Sequence, residues 1–157
     1  MRDQKPPRLS SGERDVLRAL LQYQRESFLR KVEGADGEAA RTPAVKSGTS
    51  LLWLVKHLTL AERIWVLQRF AGEDIGPIDR AVRPDDSLDS ALRSYRHTWT
   101  AVDAIIDSAD LEERCRNDDV EPVVNLRWVL MHLLEETARH AGHADILREL
   151  VDGSTGR

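Results

Sequence analysis

Three residues in two separated stretches have the types and the spacing of a metal site. Glu136 and His140 are four residues apart within an apolar run, so on a helix their side chains would be neighbours. His57 lies in a second apolar run and offers a third donor atom. Two imidazoles and one carboxylate suit a divalent cation, and three protein ligands leave a coordination position open for a reactant.

A simpler arrangement would use the same residues without any metal. A buried carboxylate is costly unless it is protonated, paired or bound to a cation, and a hydrogen bond from His57 would satisfy Glu136. The residues alone leave both arrangements open. Cys115 is the only cysteine, so a thiolate cluster is excluded, and zinc, nickel, manganese and iron all remain possible.

Four segments with helical periodicity must position these residues. The predicted helices span about residues 11–32, 50–70, 88–106 and 126–151. Ser10 and Glu13 have the spacing of a capping box at the first helix, and Gly153 ends the last one. On the second helix His57 is predicted to lie at the centre of a core-facing side, and Glu136 and His140 fall in the core stripe of the fourth.

The connections between these helices indicate the topology. Residues 71–86 form a loop that is long for neighbouring antiparallel helices, which predicts a long crossover between the second and third helices. The predicted fold is therefore all-α, a four-helix bundle with one crossover. We expect residues 1–157 to form a single domain with a flexible N-terminus at residues 1–10.

Composition limits the classes of function. Of the chain's residues 41% are hydrophobic and 32% are charged, proportions that are typical of a folded globular protein. The net charge is −4 and no cluster of basic residues is present, which argues against nucleic-acid binding. No apolar run approaches the roughly 18 residues that a membrane span needs. The first nine residues contain no apolar segment of a secretory signal, so we expect a cytoplasmic protein without membrane association.

Two stretches resemble a known superfamily. LLWLVKHLTLAERIW at residues 51–65 and NLRWVLMHLLEETARHAGHADILRELVDG at residues 125–153 are similar to the DinB-like, YfiT-type metal-binding proteins. The likeness is greatest to an actinobacterial branch related to mycothiol-dependent maleylpyruvate isomerase. The resemblance implies a four-helix bundle with a long crossover and a metal held by His57, Glu136 and His140.

The same resemblance implies an enzyme that uses a low-molecular-weight thiol. The expected activity is S-transfer or isomerisation of a small electrophile by a mycothiol-type thiol, with zinc as the first expectation for the metal. A metal-dependent hydrolase and a non-catalytic, metal-stabilised stress-response bundle are the alternatives. We expect a homodimer, because the apolar density of the second helix suits a subunit interface.

Other residues near the motif have less specific interpretations. His143 is predicted to act beside the metal, as a fourth ligand or in proton transfer. His132 is predicted to be a partly buried structural residue, and His97 to be exposed. Arg139 could bind a carboxylate substrate, but a surface salt bridge to Glu135 is the preferred interpretation. Four tryptophans could line a ligand pocket, but the preferred interpretation is that they are core or dimer-interface residues: Trp53, Trp65, Trp99 and Trp128.

Overall fold

The structure, a computed structural model, describes residues 4–117 and 121–155, so residues 1–3 of the predicted flexible N-terminus lie outside it. Its helices are α1 (Glu13–Val32), α2 (Gly37–Arg41), α3 (Leu51–Glu62), α4 (Leu88–Ser108) and α5 (Leu126–Asp152). A π-helical segment, Arg63–Phe70, continues α3. The predicted all-α bundle is confirmed, with α1, α3, α4 and α5 as its four long helices.

The direction of each helix follows from its ion pairs. Glu13 pairs with Arg127 at the start of α1 and α5, and Lys31 pairs with Asp145 near their ends, so these helices run parallel. Lys56 of α3 pairs with Asp86 just before α4 begins. Arg25 pairs both with Glu62 at the end of α3 and with Asp103 near the end of α4, so these two helices also run parallel. The connection from residue 71 to residue 87 must therefore return along the length of α3, which is the predicted crossover.

Side chains of the helices tie the crossover in place. Arg63 donates from Nη2 to the carbonyl oxygen of Ile75 at 2.7 Å, and Lys56 donates to the carbonyl oxygen of Ala81 at 2.5 Å. Arg41 of α2 donates to the carbonyl oxygen of Arg83 at 2.8 Å. These bonds satisfy backbone carbonyls of a segment that has no regular hydrogen bonding of its own.

The interior consists of two apolar clusters with a polar layer between them. One cluster contains Phe28, Leu54, Leu58, Tyr95 and Leu147 among others. The second contains Leu21, Val66, Val102, Ile106 and Leu133 among others. Between the clusters Arg25 and Glu62 are each 1% exposed. Their side chains form a bidentate ion pair, in which Nε of Arg25 donates to Oε1 of Glu62 at 2.8 Å and Nη2 donates to Oε2. Asp103 of α4 accepts a further bond from Arg25 at 2.8 Å.

Three local features differ from the sequence prediction. The capping box of Ser10 and Glu13 is not formed, because α1 begins at Glu13 after Gly12 and has no side-chain cap. The connection between the first two predicted helices contains a further helix, α2, whose first turn is capped by the Asp36 carboxylate. The second half of the second predicted helix is π-helical, so the number of residues per helical turn differs from that of an α-helix there.

The caps give a stability prediction. Ser87 caps α4 with a reciprocal capping box, in which its Oγ accepts from the backbone N–H of Ser90 at 3.2 Å. We expect Ser87→Ala to lower the free energy of unfolding by about 1 kcal/mol in urea denaturation. Ser10→Ala is the matched control and should change it by less than about 0.5 kcal/mol. Equal losses for the two variants would contradict the assignment of the caps.

Among the described residues, no helix combines the length and the apolar content that crossing a bilayer requires.

Candidate metal centre

The side chains of His57, Glu136 and His140 meet between α3 and α5. Nε2 of His57 lies 2.7 Å from Oε1 of Glu136, and Nε2 of His140 lies 3.1 Å from the same oxygen. One ligand atom from each residue lies within 4.8 Å of the other two. The structure therefore brings together the three residues that the sequence singled out.

The antiparallel packing of α3 against α5 produces this convergence. Glu136 and His140 are one turn apart on α5, so their side chains point to one side of that helix. His57 reaches them from the second turn of α3, which Ser50 caps by accepting from the backbone N–H of Trp53 at 3.1 Å. The site is thus built on two rigid helices, an arrangement that fixes donor atoms better than a loop does.

The site lies at the edge of the core, whereas the sequence analysis predicted that it would lie inside the core. The buried side of α3 carries Leu54, Leu58 and Glu62, whereas His57 is on the flank. The side chains of His57, Glu136 and His140 are 27%, 17% and 11% exposed. The donors consequently open onto the surface seam between α3 and α5, and a small molecule can approach them from solvent.

Aromatic contacts fix the orientation of the imidazoles. The ring of Trp53 stacks on that of His57, with centroids 4.9 Å apart and 9° between the planes. The same indole meets His140 edge-on at 6.5 Å, and the two imidazoles meet edge-on at 4.6 Å. Packing of this kind limits rotation of both rings and holds their nitrogens toward Glu136.

The electrostatics of the site favour the protonation states in which Glu136 and His140 can bind a metal ion. Burial would raise the pKa of Glu136, but the hydrogen bond from His57 and the charge of His140 outweigh it, so the pKa is lowered. Burial lowers the pKa of His140, and repulsion from His57 acts in the same direction. A carboxylate and a neutral imidazole are the protonation states that bind metal ions.

His143 contacts the side of His140 that faces away from the carboxylate. Nδ1 of His143 lies 3.2 Å from Nδ1 of His140, and the side chain is exposed. His143 also borders a groove of about 230 Å³ that adjoins the site. The groove is lined by Val45, Ser47, Thr49, His143, Ile146 and Leu147.

Comparison with known proteins gives the family. A family model described as Mycothiol-S-transferase matches residues 16–153. The chain belongs to the mycothiol-S-transferase family. This confirms the resemblance to the DinB-like superfamily and the expectation of a transferase enzyme with a thiol substrate.

A solved structure supports the same fold. The chain is similar to a crystal structure described as a conserved protein of locus from Enterococcus faecalis, with 16% identity and a TM-score of 0.67. The alignment covers 92% of this chain and 100% of that chain, and at this identity it shows the fold alone. No curated protein matches the chain.

The donor set of this mycothiol-S-transferase family member fits a divalent cation. Two imidazole nitrogens and a carboxylate oxygen converge, and nitrogen and oxygen ligands suit zinc, nickel, manganese and iron. The Oε1 atom of Glu136 already lies within hydrogen-bond distance of both imidazoles, so little movement is needed to share a cation. The three residues could therefore hold a metal ion.

Three other candidate residues have the surroundings that were predicted for them, whereas Trp128 is 44% exposed and lies outside the core. Arg139 forms a surface ion pair with Glu135, and His97 is exposed on α4. His132 is partly buried and packs against two tryptophans, Trp65 and Trp128, which also contact each other. Sequence reasoning missed this aromatic cluster and the stack of Trp53 on His57, because neither shows in the spacing along one helix. Only the i, i+4 spacing of Trp128 and His132 gave a hint of a shared face.

Proposed function

We propose that the protein joins the sulfur of mycothiol to a small electrophile at a metal site held by His57, Glu136 and His140. The observation that carries this proposal is the convergence of three donor atoms on an open seam. Family membership supplies the thiol and the class of reaction. An open seam favours a catalytic site over a structural one, because structural sites are closed by a fourth protein ligand.

A divalent cation in this site, with zinc as our first expectation and nickel, manganese or iron as alternatives, would lower the pKa of a bound thiol and hold it as a thiolate. The protein's own task is to hold the donors. Glu136 and His140 are fixed by one helix, and His57 is fixed by its stack on Trp53. The exposed side of the seam lets the thiol proton leave to water.

The groove beside His143 is our candidate site for the electrophile. Its volume of about 230 Å³ suits a small molecule, and its lining includes apolar residues such as Val45 and Leu147 and two hydroxyl-bearing residues, Ser47 and Thr49. A thiolate at the donors would attack a carbon atom held there. The new carbon–sulfur bond forms as the bond to the leaving group breaks, and the leaving group takes the electron pair.

The proposal is tested by the thiol dependence of turnover. Zinc-loaded protein is mixed with mycothiol and a small alkyl halide, and the thioether product is measured by mass spectrometry. Mycothiol also reacts slowly with the halide unaided, so we expect product formation above this uncatalysed rate only when protein and metal are both present. Consumption of an ester substrate without any thiol would instead favour the metal-dependent hydrolase. The absence of turnover over a range of thiols and electrophiles would favour the non-catalytic stress-response bundle.

We propose that His143 positions His140. If Nε2 of His140 binds a cation, its Nδ1 carries hydrogen and donates to Nδ1 of His143, and such outer partners of metal ligands are worth about 10–100-fold in affinity or activity. His143→Ala should lose about this much turnover. His143→Gln, whose amide oxygen can accept the same bond, should retain most of it.

The two variants also test the role in proton transfer that the sequence predicted for His143. If the glutamine variant is as slow as the alanine variant while both keep their metal, the imidazole transfers a proton and positioning is the lesser role. The homodimer and the cytoplasmic location, both expected from the sequence, remain proposals. Light scattering of the purified protein tests whether it forms a dimer.

A further inference from the structure

An aromatic cluster lies on the same seam as the metal donors. It consists of Trp65 of the π-helical segment with Trp128 and His132 of α5. The centroids of Trp65 and Trp128 are 5.1 Å apart, and Trp128 stacks on His132 at 5.0 Å with 16° between the planes. Trp128 is 44% exposed, and the neighbouring Met131 is 57% exposed. The cluster therefore presents an ordered aromatic surface to solvent.

The cluster is continuous with the donor atoms. His132 precedes Glu136 by one turn of α5, a rise of about 6 Å. Trp65 follows His57 by eight residues along α3 and its π-helical continuation, a rise of roughly 12 Å. Because α3 and α5 pack antiparallel, both helices carry the aromatic residues to the same side of the donors. A ligand bound at the donors can thus extend along the seam onto the cluster.

A polar groove continues the seam beyond Trp128. Its volume is about 350 Å³, and its lining combines charged, amide and apolar side chains: Glu112, Arg114, Val123, Val124, Asn125 and Trp128. The Asn125 side chain is held by the cap of α5, since its Oδ1 accepts from the backbone N–H of Trp128 at 3.1 Å. A flat aromatic ring next to hydrogen-bonding groups suits a ligand with apolar ring faces and polar edges.

We infer that the aromatic cluster and this polar groove bind the ring portion of the thiol substrate, and this inference rests on the proposed function. Mycothiol carries its cysteine on a glucosamine ring that is linked to inositol. The carbon–hydrogen faces of such rings pack on indoles, and their hydroxyl groups can bond to Glu112, Arg114 and Asn125. The sulfur lies at the donors, and the rings extend toward Trp128.

The cluster is preorganised for this task. The guanidinium of Arg69 lies over the ring of Trp65 at 4.4 Å from its centroid, and His132 supports Trp128 on the side of the seam. A rigid aromatic surface loses little conformational entropy when a ligand binds. Continuity with the donors favours the substrate over a second copy of the chain as the occupant, since a subunit here would cover the approach to the seam.

The experiment compares Trp128→Ala with Leu150→Ala, which removes another exposed apolar side chain from the far end of the same helix. Affinity for S-methyl mycothiol, which has the rings but no free thiol, is measured by calorimetry. We expect Trp128→Ala to weaken it about tenfold and Leu150→Ala to leave it unchanged. The ratio of KM for mycothiol to KM for N-acetylcysteine, a thiol without the rings, should rise about tenfold in the first variant only.

Arg114→Ala provides a second variant in case Trp128→Ala fails to fold. Arg114 is exposed, and its replacement should weaken binding of S-methyl mycothiol several-fold. Unchanged affinity in the folded variants, or an equal loss for mycothiol and N-acetylcysteine, would overturn the inference. A shift from dimer to monomer without a change in ligand affinity would overturn it too, and would mark the cluster as a subunit interface.

The outcomes separate this inference from the proposed function. S-methyl mycothiol has no thiol to ionise at a metal, so its binding does not depend on the formation of a thiolate there. If His57→Ala keeps full turnover, the metal-dependent mechanism fails, but the contrast between Trp128→Ala and Leu150→Ala still tests the cluster.

Discussion

Replacing His57 with alanine should remove the bound metal and the thiol-transfer activity together. His57 supplies the donor from α3, so its loss leaves two ligands on one helix, and a two-ligand site no longer holds a cation firmly. Even outer partners of a metal ligand are worth about 10–100-fold in affinity, so the loss of a direct ligand should exceed about 100-fold. Elemental analysis after dialysis should give one ion per chain for the natural protein and a small fraction of that for the variant.

Glu136→Ala should give the same result, because its carboxylate lies between both imidazoles. His97→Ala is the matched control, since it removes an exposed imidazole from α4 and should keep full metal content. Unchanged metal content in His57→Ala and Glu136→Ala would mean that the three residues form a hydrogen-bonded cluster without metal. Retention of turnover in the same variants would also end the proposed mechanism.

Replacing Glu62 with alanine should cost about 3–5 kcal/mol of unfolding free energy, the usual result of removing one partner of a buried ion pair. Burial opposes the charge of Arg25, but Glu62 and Asp103 outweigh it and raise the pKa of Arg25 in the natural protein. After the substitution the guanidinium stays charged because arginine does not lose its proton in proteins. It would then be left in the interior with Asp103 as its remaining ion-pair partner among the described residues. Urea denaturation followed by circular dichroism measures the loss.

Two further variants show whether the cost comes from a stranded charge. Glu135→Ala breaks the exposed pair with Arg139 and should cost less than about 1 kcal/mol. The double variant Arg25→Met/Glu62→Leu should recover much of the stability that Glu62→Ala loses, because neither buried charge remains. If the double variant is as unstable as Glu62→Ala, the loss reflects packing and not the ion pair.

The convergence of the candidate ligand residues could be predicted from the sequence because most of its signal is local. The four-residue spacing of Glu136 and His140 on a periodic segment defines a shared face whatever the rest of the fold does. The third residue, His57, came from its apolar surroundings and from the family resemblance. The caps at Ser87 and Asn125 were predictable for the same reason, since each depends on the first turn of one helix.

Features that depend on two helices could not be predicted in this way. The apolar residues around His57 indicated a core-facing position, yet α3 buries the side that carries Leu58 and Glu62. Both sides of α3 are apolar, so periodicity alone does not decide which one meets the core. The cluster of Trp65 with Trp128 depends on the axial alignment of α3 with α5 and on the π-helical period after Glu62, neither of which spacing reveals.

The salt bridge between Arg25 and Glu62 also has a geometric consequence for the donors. Glu62 is five residues after His57 on the same helix. An interaction that fixes the axial position of Glu62 therefore also fixes that of His57. Sliding α3 by one turn would move the Glu62 carboxylate about 5.4 Å from the guanidinium and leave this carboxylate without its ion-pair partner in a dry interior. The ion pair therefore favours a single axial position of α3 in the bundle. In that position the His57 imidazole lies at the same level as Glu136 and His140 of α5.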